Sequence, residues 1–387
     1  MLGYPYGESW PLVFTGTECM KRTVACVIGT RPEAIKMAPV IRAFRQASWA
    51  EVRTIFTAQH RDLVEPMLDF FGIRADVDLN MMRPNQDLAG LTSRLLTGLS
   101  EEFESHRPDI VLAQGDTTTV LASALAAFYR RIPFAHVEAG LRTGDLRAPF
   151  PEEANRVLAG HLADLHFAPT ESSRANLLRE GIDPAKIAVT GNTVIDALFY
   201  AVERQVPIGV DLDPGSRLVL VTAHRRDSFG APIRAICRAV GRLIDEFDDI
   251  EVLWPVHPNP AVKPVVEAEL GGRDRVKLCA PLGYGPFVTA MKRSELILTD
   301  SGGVQEEAPA LGKPVLVMRH ESERPEAIAA NVAKLVGPDE ERIVSEASRL
   351  LRDPEAYRTM SAGASPYGDG VAAARIVELI ARRFSGG

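Results

Sequence analysis

The chain has 387 residues, 46% of them hydrophobic, with 44 Lys and Arg against 51 Asp and Glu for a formal charge of −7. That length exceeds what one compact core usually fills and implies two domains of ordinary size. The acidic balance excludes a non-specific nucleic-acid binder, which needs a basic face, and leaves room for a small anionic ligand where arginines gather locally.

Residues 1–19, MLGYPYGESWPLVFTGTEC, lack the basic start, continuous apolar stretch and small-residue cleavage site of a secretion signal. They read as a dispensable extension ahead of a strand that opens at Met20 and Lys21. Short apolar runs then alternate with amphipathic segments. TVACVIG is a buried strand, and Ala34, Ile35, Ala38, Ile41 and Phe44 follow it at helical spacing. VRTIFT, DIVLAQ, PFAHVE, LHFAPT and KIAVTG repeat the strand signal, and the cycle restarts with RLVLVTAH, IEVLWPVH, VKLCAP, LILTDSGG and KPVLVM. Repeated strand–helix units predict parallel sheets with right-handed crossovers. The expected fold is α/β, with two Rossmann-like domains over residues 20–195 and 196–367, a cleft between them, and the last helix, about 368–387, returning to the first lobe. Cys19, Cys26, Cys237 and Cys279 form no C-x-x-C pair and suit a reducing cytosol. The eight histidines show no metal-ligand spacing, and no apolar run approaches the roughly 18 residues that span a bilayer. A soluble, cytoplasmic protein without metal or membrane partner is expected.

The turns after the strands carry the chemistry. In GTRPEAIKMAP, Gly29 allows a tight turn, and Arg31 and Lys36 flank a helix start whose N–H groups would suit a phosphate or carboxylate; a capped helix with solvated charges is the plainer reading. No G-x-G-x-x-G follows the first strand, the near match GDGVAA at Gly368 to Ala373 follows no strand, and ALGKPV lacks the other parts of a P-loop. No resident NAD, and no cofactor, is expected. In LTDSGGVQEEAPALG, Ser301, Gly302 and Gly303 open a helix with bare backbone donors suited to a diphosphate, and Glu306 and Glu307 lie one turn on, where a carboxylate could accept ribose hydroxyls. His224 and Arg225 in TAHRRDSFG sit just past a strand, placed to meet an anion.

Asp116, Glu138 and Glu152 each follow, or closely follow, a first-domain strand end. Each alone could be a solvated surface acid. Together they are expected to converge on one side of the cleft, where mutual repulsion would raise at least one pKa and create an acid and base pair.

At this point GTRPEAIKMAPV, TAQHR, GDTTT, HVEAGLRTGDL, PEEANR, GNTVIDAL, HRRDSFG, PVHPNP, TDSGGVQEEAP, GKPVLVMR, ERPEA and PYGDG, in this order, closely resemble the bacterial non-hydrolysing UDP-N-acetylglucosamine 2-epimerase family. The resemblance runs from about Lys21 to the C-terminal helix. It implies a glycosyltransferase-B arrangement, a homodimer, and a UDP-sugar in the interdomain cleft, either UDP-N-acetylglucosamine or UDP-N-acetylmannosamine. Matched residue by residue, it makes Asp116, Glu138 and Glu152 the acid/base candidates, His224 a diphosphate contact, and Arg31 and Lys36 first-lobe binding residues. It also implies a phosphate loop at Ser301, Gly302 and Gly303, a ribose contact at Glu307, a nucleotide contact at Arg324, and a uracil-side loop with Leu282 and Phe287. Gln59 and His257 resemble part of a second, activating UDP-N-acetylglucosamine site. His320 and Glu321 stand where an Asp-Thr pair is common, Leu282 where a polar residue often stands, and MMRPNQ departs near the activator site. These departures bear on sugar specificity and activation. Alternatives are a C2 epimerase of a modified UDP-sugar such as a diacetamido-uronic acid, a non-catalytic UDP-sugar-binding protein, and a retaining glycosyltransferase of the same two-lobed form.

Overall fold

The computed structural model describes residues 21–57, 61–81, 83, 87–225, 228–322, 324–363 and 365–385. The expected N-terminal extension and Gln59 lie outside these residues. The first lobe is built on seven parallel strands: β1 (Arg22–Ile28), β2 (Ala50–Phe56), β3 (Val77–Asp78), β4 (Ile110–Gln114), β5 (Phe134–Val137), β6 (Leu165–Ala168) and β7 (Ile187–Val189). Their order is β3-β2-β1-β4-β5-β6-β7. The second has six, β8 (Arg217–Thr222), β9 (Ile250–Pro255), β10 (Val276–Cys279), β11 (Ser294–Thr299), β12 (Val315–Val317) and β13 (Ala333–Leu335), in the order β10-β9-β8-β11-β12-β13. Every pairing is parallel, so each connection must cross a face of its sheet, and helices cover both faces.

In each sheet the order reverses beside the founding strand. β1 pairs with both β2 and β4, and β8 with both β9 and β11. Crevices open outside the C-terminal ends of such strand pairs, which is where ligands of open α/β sheets bind. The residues just past β1, β4, β8 and β11 include Arg31, Asp116, His224 and Ser301.

Strand burial explains the sequence runs. Val24 to Ile28 and Ile110 to Gln114 are almost wholly enclosed, since helices take both faces. Two segments tie the lobes together. The helix Thr193–Arg204 gives Ile195 and Leu198 to the second-lobe core and Ala197 to that of the first. The last helix, Ala372–Ser385, seats Ala373, Ile376 and Ile380 in the first-lobe core, against the helix Arg31–Gln46. Asn192 N–H donates to the Tyr367 carbonyl at 2.7 Å where these two crossings meet. Among the described residues no helix is long and apolar enough to cross a membrane.

Candidate active site

Asp116 and Glu138 leave neighbouring strands β4 and β5, and one arginine joins them. Arg156, buried on the helix Glu152–Leu162, donates through Nη2 to the Asp116 carboxylate and through Nη1 to the Glu138 carbonyl at 2.6 Å. Glu138 is 4% exposed and has φ +61°, a left-handed conformation that costs a β-carbon-bearing residue energy and recurs at functional sites. Its Oε2 accepts from Lys36 Nζ at 2.5 Å and from Gln114 Nε2 at 2.6 Å.

This corrects the expected electrostatics. Burial alone would raise Asp116, but the Arg156 guanidinium outweighs it and holds the carboxyl below its ordinary value. Cations are interleaved with the acids rather than carboxylate facing carboxylate. Burial also opposes the charge on Lys36, yet Glu138 and Glu306 push its ammonium above the usual range. Glu152, the first residue of its helix, is half-buried, and its side chain makes no hydrogen bond or ion pair among the described residues. Its neighbour Glu153 turns inward instead, and its Oε1 accepts from the N–H groups of Thr143 and Gly144 at 3.0 Å each.

The turn after β1 also differs from expectation. Its N–H groups are already filled by the chain's own acid: Glu33 Oε2 accepts from Gly29 N at 2.6 Å and from Thr30 N at 2.7 Å, a capping box. Glu33 Oε1 accepts from the Thr117 hydroxyl at 2.5 Å, so one buried carboxyl ties the turn after β1 to the turn after β4. Burial pushes it up to about 7 despite these donors. Gly29 is required by close approach, because a β-carbon there would lie 2.4 Å from Thr119 Oγ1 and 2.9 Å from Thr57 Oγ1. Arg31 stands exposed at the first helical position.

In the second lobe, Ser301 precedes the helix Gly302–Ala310, which no side chain caps. The donors are not all bare, since Ser301 N–H goes to Thr299 Oγ1 at 2.9 Å. Glu307 accepts from the Tyr284 hydroxyl at 2.8 Å, and burial pushes its carboxyl up to about 7. Glu306 faces away from solvent and binds Arg324 Nε. His224 Nδ1 stands 3.2 Å from Asp300, whose other oxygen accepts from His224 N, Arg225 N and the Ser228 hydroxyl at 2.8, 2.9 and 2.8 Å. Burial resists ionisation of Asp300, but His224 and these donors hold it below its ordinary value. The His224 side chain is 43% exposed and stacks on His257 with ring centroids 6.2 Å apart. Leu282 and Phe287 pack partly buried at the edge of the second-lobe core. Among the described residues no group of three or more His, Cys, Asp and Glu could hold a metal ion.

Arg156, Glu153 and Glu33 do not stand out in the sequence. The available signal was polar residues, Glu153, Asn155 and Arg156, at positions of a helix that otherwise face the core.

Two Rossmann-like lobes with charged residues at both switch points and an uncapped helix start at the second define an α/β enzyme of the nucleotide-sugar type, in the glycosyltransferase-B arrangement. The family model described as UDP-N-acetylglucosamine 2-epimerase matches residues 42–381. The chain is 52% identical over 368 residues to the UDP-N-acetylglucosamine 2-epimerase of Escherichia coli O157:H7, covering 92% of this chain and 98% of that protein. A crystal structure of the Neisseria meningitidis UDP-GlcNAc 2-epimerase bound to UDP-GlcNAc superposes with TM-score 0.84 at 44% identity, covering 93% of this chain and all of that one. A putative UDP-N-acetylglucosamine 2-epimerase from Listeria monocytogenes gives TM-score 0.88 at 44% identity, over 95% and 98% of the two chains. The chain belongs to the UDP-N-acetylglucosamine 2-epimerase family and is an epimerase, a type of isomerase.

Proposed function

We propose that the chain interconverts UDP-N-acetylglucosamine and UDP-N-acetylmannosamine by eliminating UDP and adding it back. The C2 proton of a UDP-sugar is not acidic, because C1 is a glycosyl phosphate with no adjacent carbonyl. If the C1–O bond breaks with its electron pair leaving on UDP, positive charge at C1 acidifies C2–H. A carboxylate then takes the proton, and the C2–H electrons form the C1=C2 bond of 2-acetamidoglucal. A second carboxyl group, protonated and on the other face, gives its proton to C2 as the C1=C2 electrons form the new C2–H bond and the UDP oxygen re-forms the bond to C1; exchange with solvent then restores both groups. The sequence of steps is redox-neutral. Asp116, Glu138 and Glu152 serve as the carboxylates, while His224, Arg31, Lys36 and the Ser301–Gly303 helix start stabilise the departing diphosphate. Glu307 takes the ribose, Arg324 the nucleotide, and Leu282 and Phe287 the uracil side. His257, with Gln59, remains the candidate for a second UDP-sugar site.

The observation that supports this reading is the alternating row Asp116, Arg156, Glu138, Lys36 at the first switch point. The Arg156 guanidinium holds the Asp116 carboxyl below its ordinary value and so keeps it ionised, as proton removal at C2 requires. Incubation with UDP-N-acetylglucosamine alone in D2O, followed by NMR, tests it. Deuterium should appear at C2 of the product pool; turnover with protium fully retained overturns the solvent-exchanging scheme.

The homodimer and a role in supplying envelope or capsule polysaccharide precursors are part of the same proposal. Phe128, Tyr129 and Leu158, more than half exposed on two packed helices, support a face covered by a second copy. Light scattering that returns a monomer at micromolar concentration removes the dimer.

A further inference from the structure

Glu306, which the sequence places with Glu307 where a ribose hydroxyl could bind, has a geometry that serves something else. The carboxylate is 1% exposed, with Oε1 taken by Arg324 Nε and Oε2 standing 3.2 Å from Asn192 Nδ2 and 3.9 Å from Lys36 Nζ. Both oxygens already have protein partners. Arg324 belongs to the second lobe, whereas Lys36 belongs to the first and also donates to Glu138. Glu306 lies on the helix that begins at Gly302. The charges alternate without a break across the lobes, from Asp116 through Arg156, Glu138, Lys36 and Glu306 to Arg324. A buried carboxylate is costly to desolvate, so packing alone would favour an apolar side chain here.

We infer that Glu306 is a positioning residue for the epimerisation, anchored by Arg324 and holding Lys36 in register with the Gly302 helix start so that proton removal and diphosphate departure are aligned when the lobes meet. The inference rests on the proposed function, which places the diphosphate at that helix start and the C2 proton at the first-lobe carboxylates. Burial resists ionisation of Glu306, yet Arg324 and Lys36 overcome it and keep the carboxyl charged.

The two ligand steps respond with different signs. Glu306→Gln removes one negative charge near the diphosphate, so UDP alone binds at least as tightly as to the parent. Misalignment of Lys36 lowers kcat by about 10- to 100-fold. Calorimetric titration with UDP and steady-state kinetics on the full chain read both quantities. A side chain that merely supports the fold would weaken UDP binding and turnover together. The double variant with Lys36→Met adds a second criterion: the kcat loss from Glu306→Gln should shrink to below about threefold once Lys36 is gone. Weaker UDP binding in the folded variant, unchanged kcat, or equal losses in the two backgrounds overturns the role of Glu306. If Glu306→Gln does not fold, Glu306→Asp keeps the charge on Arg324 but withdraws it from Lys36, and parent-like kcat in that variant overturns the proposal. A parent protein that fails to bind UDP at all instead removes the site reading beneath it.

Discussion

Arg156 and Glu138 are joined at two points: the guanidinium donates to the Glu138 carbonyl at 2.6 Å while its other terminal nitrogen stands 3.9 Å from the Glu138 carboxylate. The same nitrogen binds Asp116, so a planar fork serves two strand-end turns at once. A lysine has no such fork. Arg156→Lys should therefore fold but lose on the order of 10²-fold in kcat through misplaced carboxylates. Arg156→Met should also lower stability by about 3 kcal/mol, the low end for a broken buried pair, because the Asp116 side chain keeps 31% exposure. Steady-state assays with thermal melts check both, and a lysine variant with parental kcat would remove the arginine from its positioning role.

Tyr284 donates to Glu307 across 2.8 Å, and both groups are shielded from solvent enough that burial pushes the phenol well above its usual range. The phenol fixes one oxygen of a carboxylate assigned to the ribose. Tyr284→Phe should raise KM for the UDP-sugar by roughly 3- to 10-fold with kcat within about twofold, the pattern of lost uniform binding. A fall in kcat with KM unchanged would place Glu307 in the chemical step instead.

His136 stands on β5, fully enclosed, and its Nε2 meets the Gly115 carbonyl at 2.7 Å. Burial pushes the imidazole down to about 3. The unfolded chain protonates this histidine below about 6.5, whereas the folded chain does not until about 3. Stability from this group is thus fully present above 6.5 and lost as pH falls through that window, at a slope approaching about 1.4 kcal/mol per pH unit. Glu33 and Glu307, both raised to about 7, act oppositely: their contribution falls as pH rises from about 4.5 to 7. Only the difference between parent and His136→Gln isolates the histidine. From pH 6.5 to 5 in denaturant titrations, the parent should lose stability more steeply than the variant; parallel profiles would contradict the buried neutral histidine.

Most strands were legible because enclosed parallel strands read as continuous apolar runs. β3 and β13 were not, since Val77–Asp78 and Ala333–Leu335 are too short to show a pattern. Asp116 and Glu138 were legible as acids at strand ends, but their partner was not. Arg156 lies on a helix whose rotation is fixed by packing, and each residue step turns the side chain by about 100°. That step separates Glu153, turned inward to the Thr143 and Gly144 N–H groups, from Glu152, which is not. The pair of acids in PFPEEANR cannot disclose that rotation. Glu33 was hidden for another reason, as its capping role is local while its bond to Thr117 spans two strands.

The carboxylates and His224 should leave different kinetic signatures. His224 is held by Asp300 and keeps 43% of its side chain open, whereas Glu138 is enclosed beside Lys36 and Gln114. If the first group handles the C2 proton and the second assists departure of the diphosphate, substitutions should slow different parts of the elimination. Substrate deuterated at C2 reports which part limits. Glu138→Gln or Asp116→Asn should weaken proton removal by roughly 10²- to 10⁴-fold and increase the isotope effect. His224→Ala should raise the barrier to C1–O cleavage, so the rate falls while the isotope effect shrinks. Both kcat and kcat/KM must be followed, because lost substrate binding alone leaves kcat largely intact. Identical isotope effects in both kinds of variant and in the parent would dissolve this division of labour, and the positions of His224 and Glu138 on opposite lobes would then need a different chemical account.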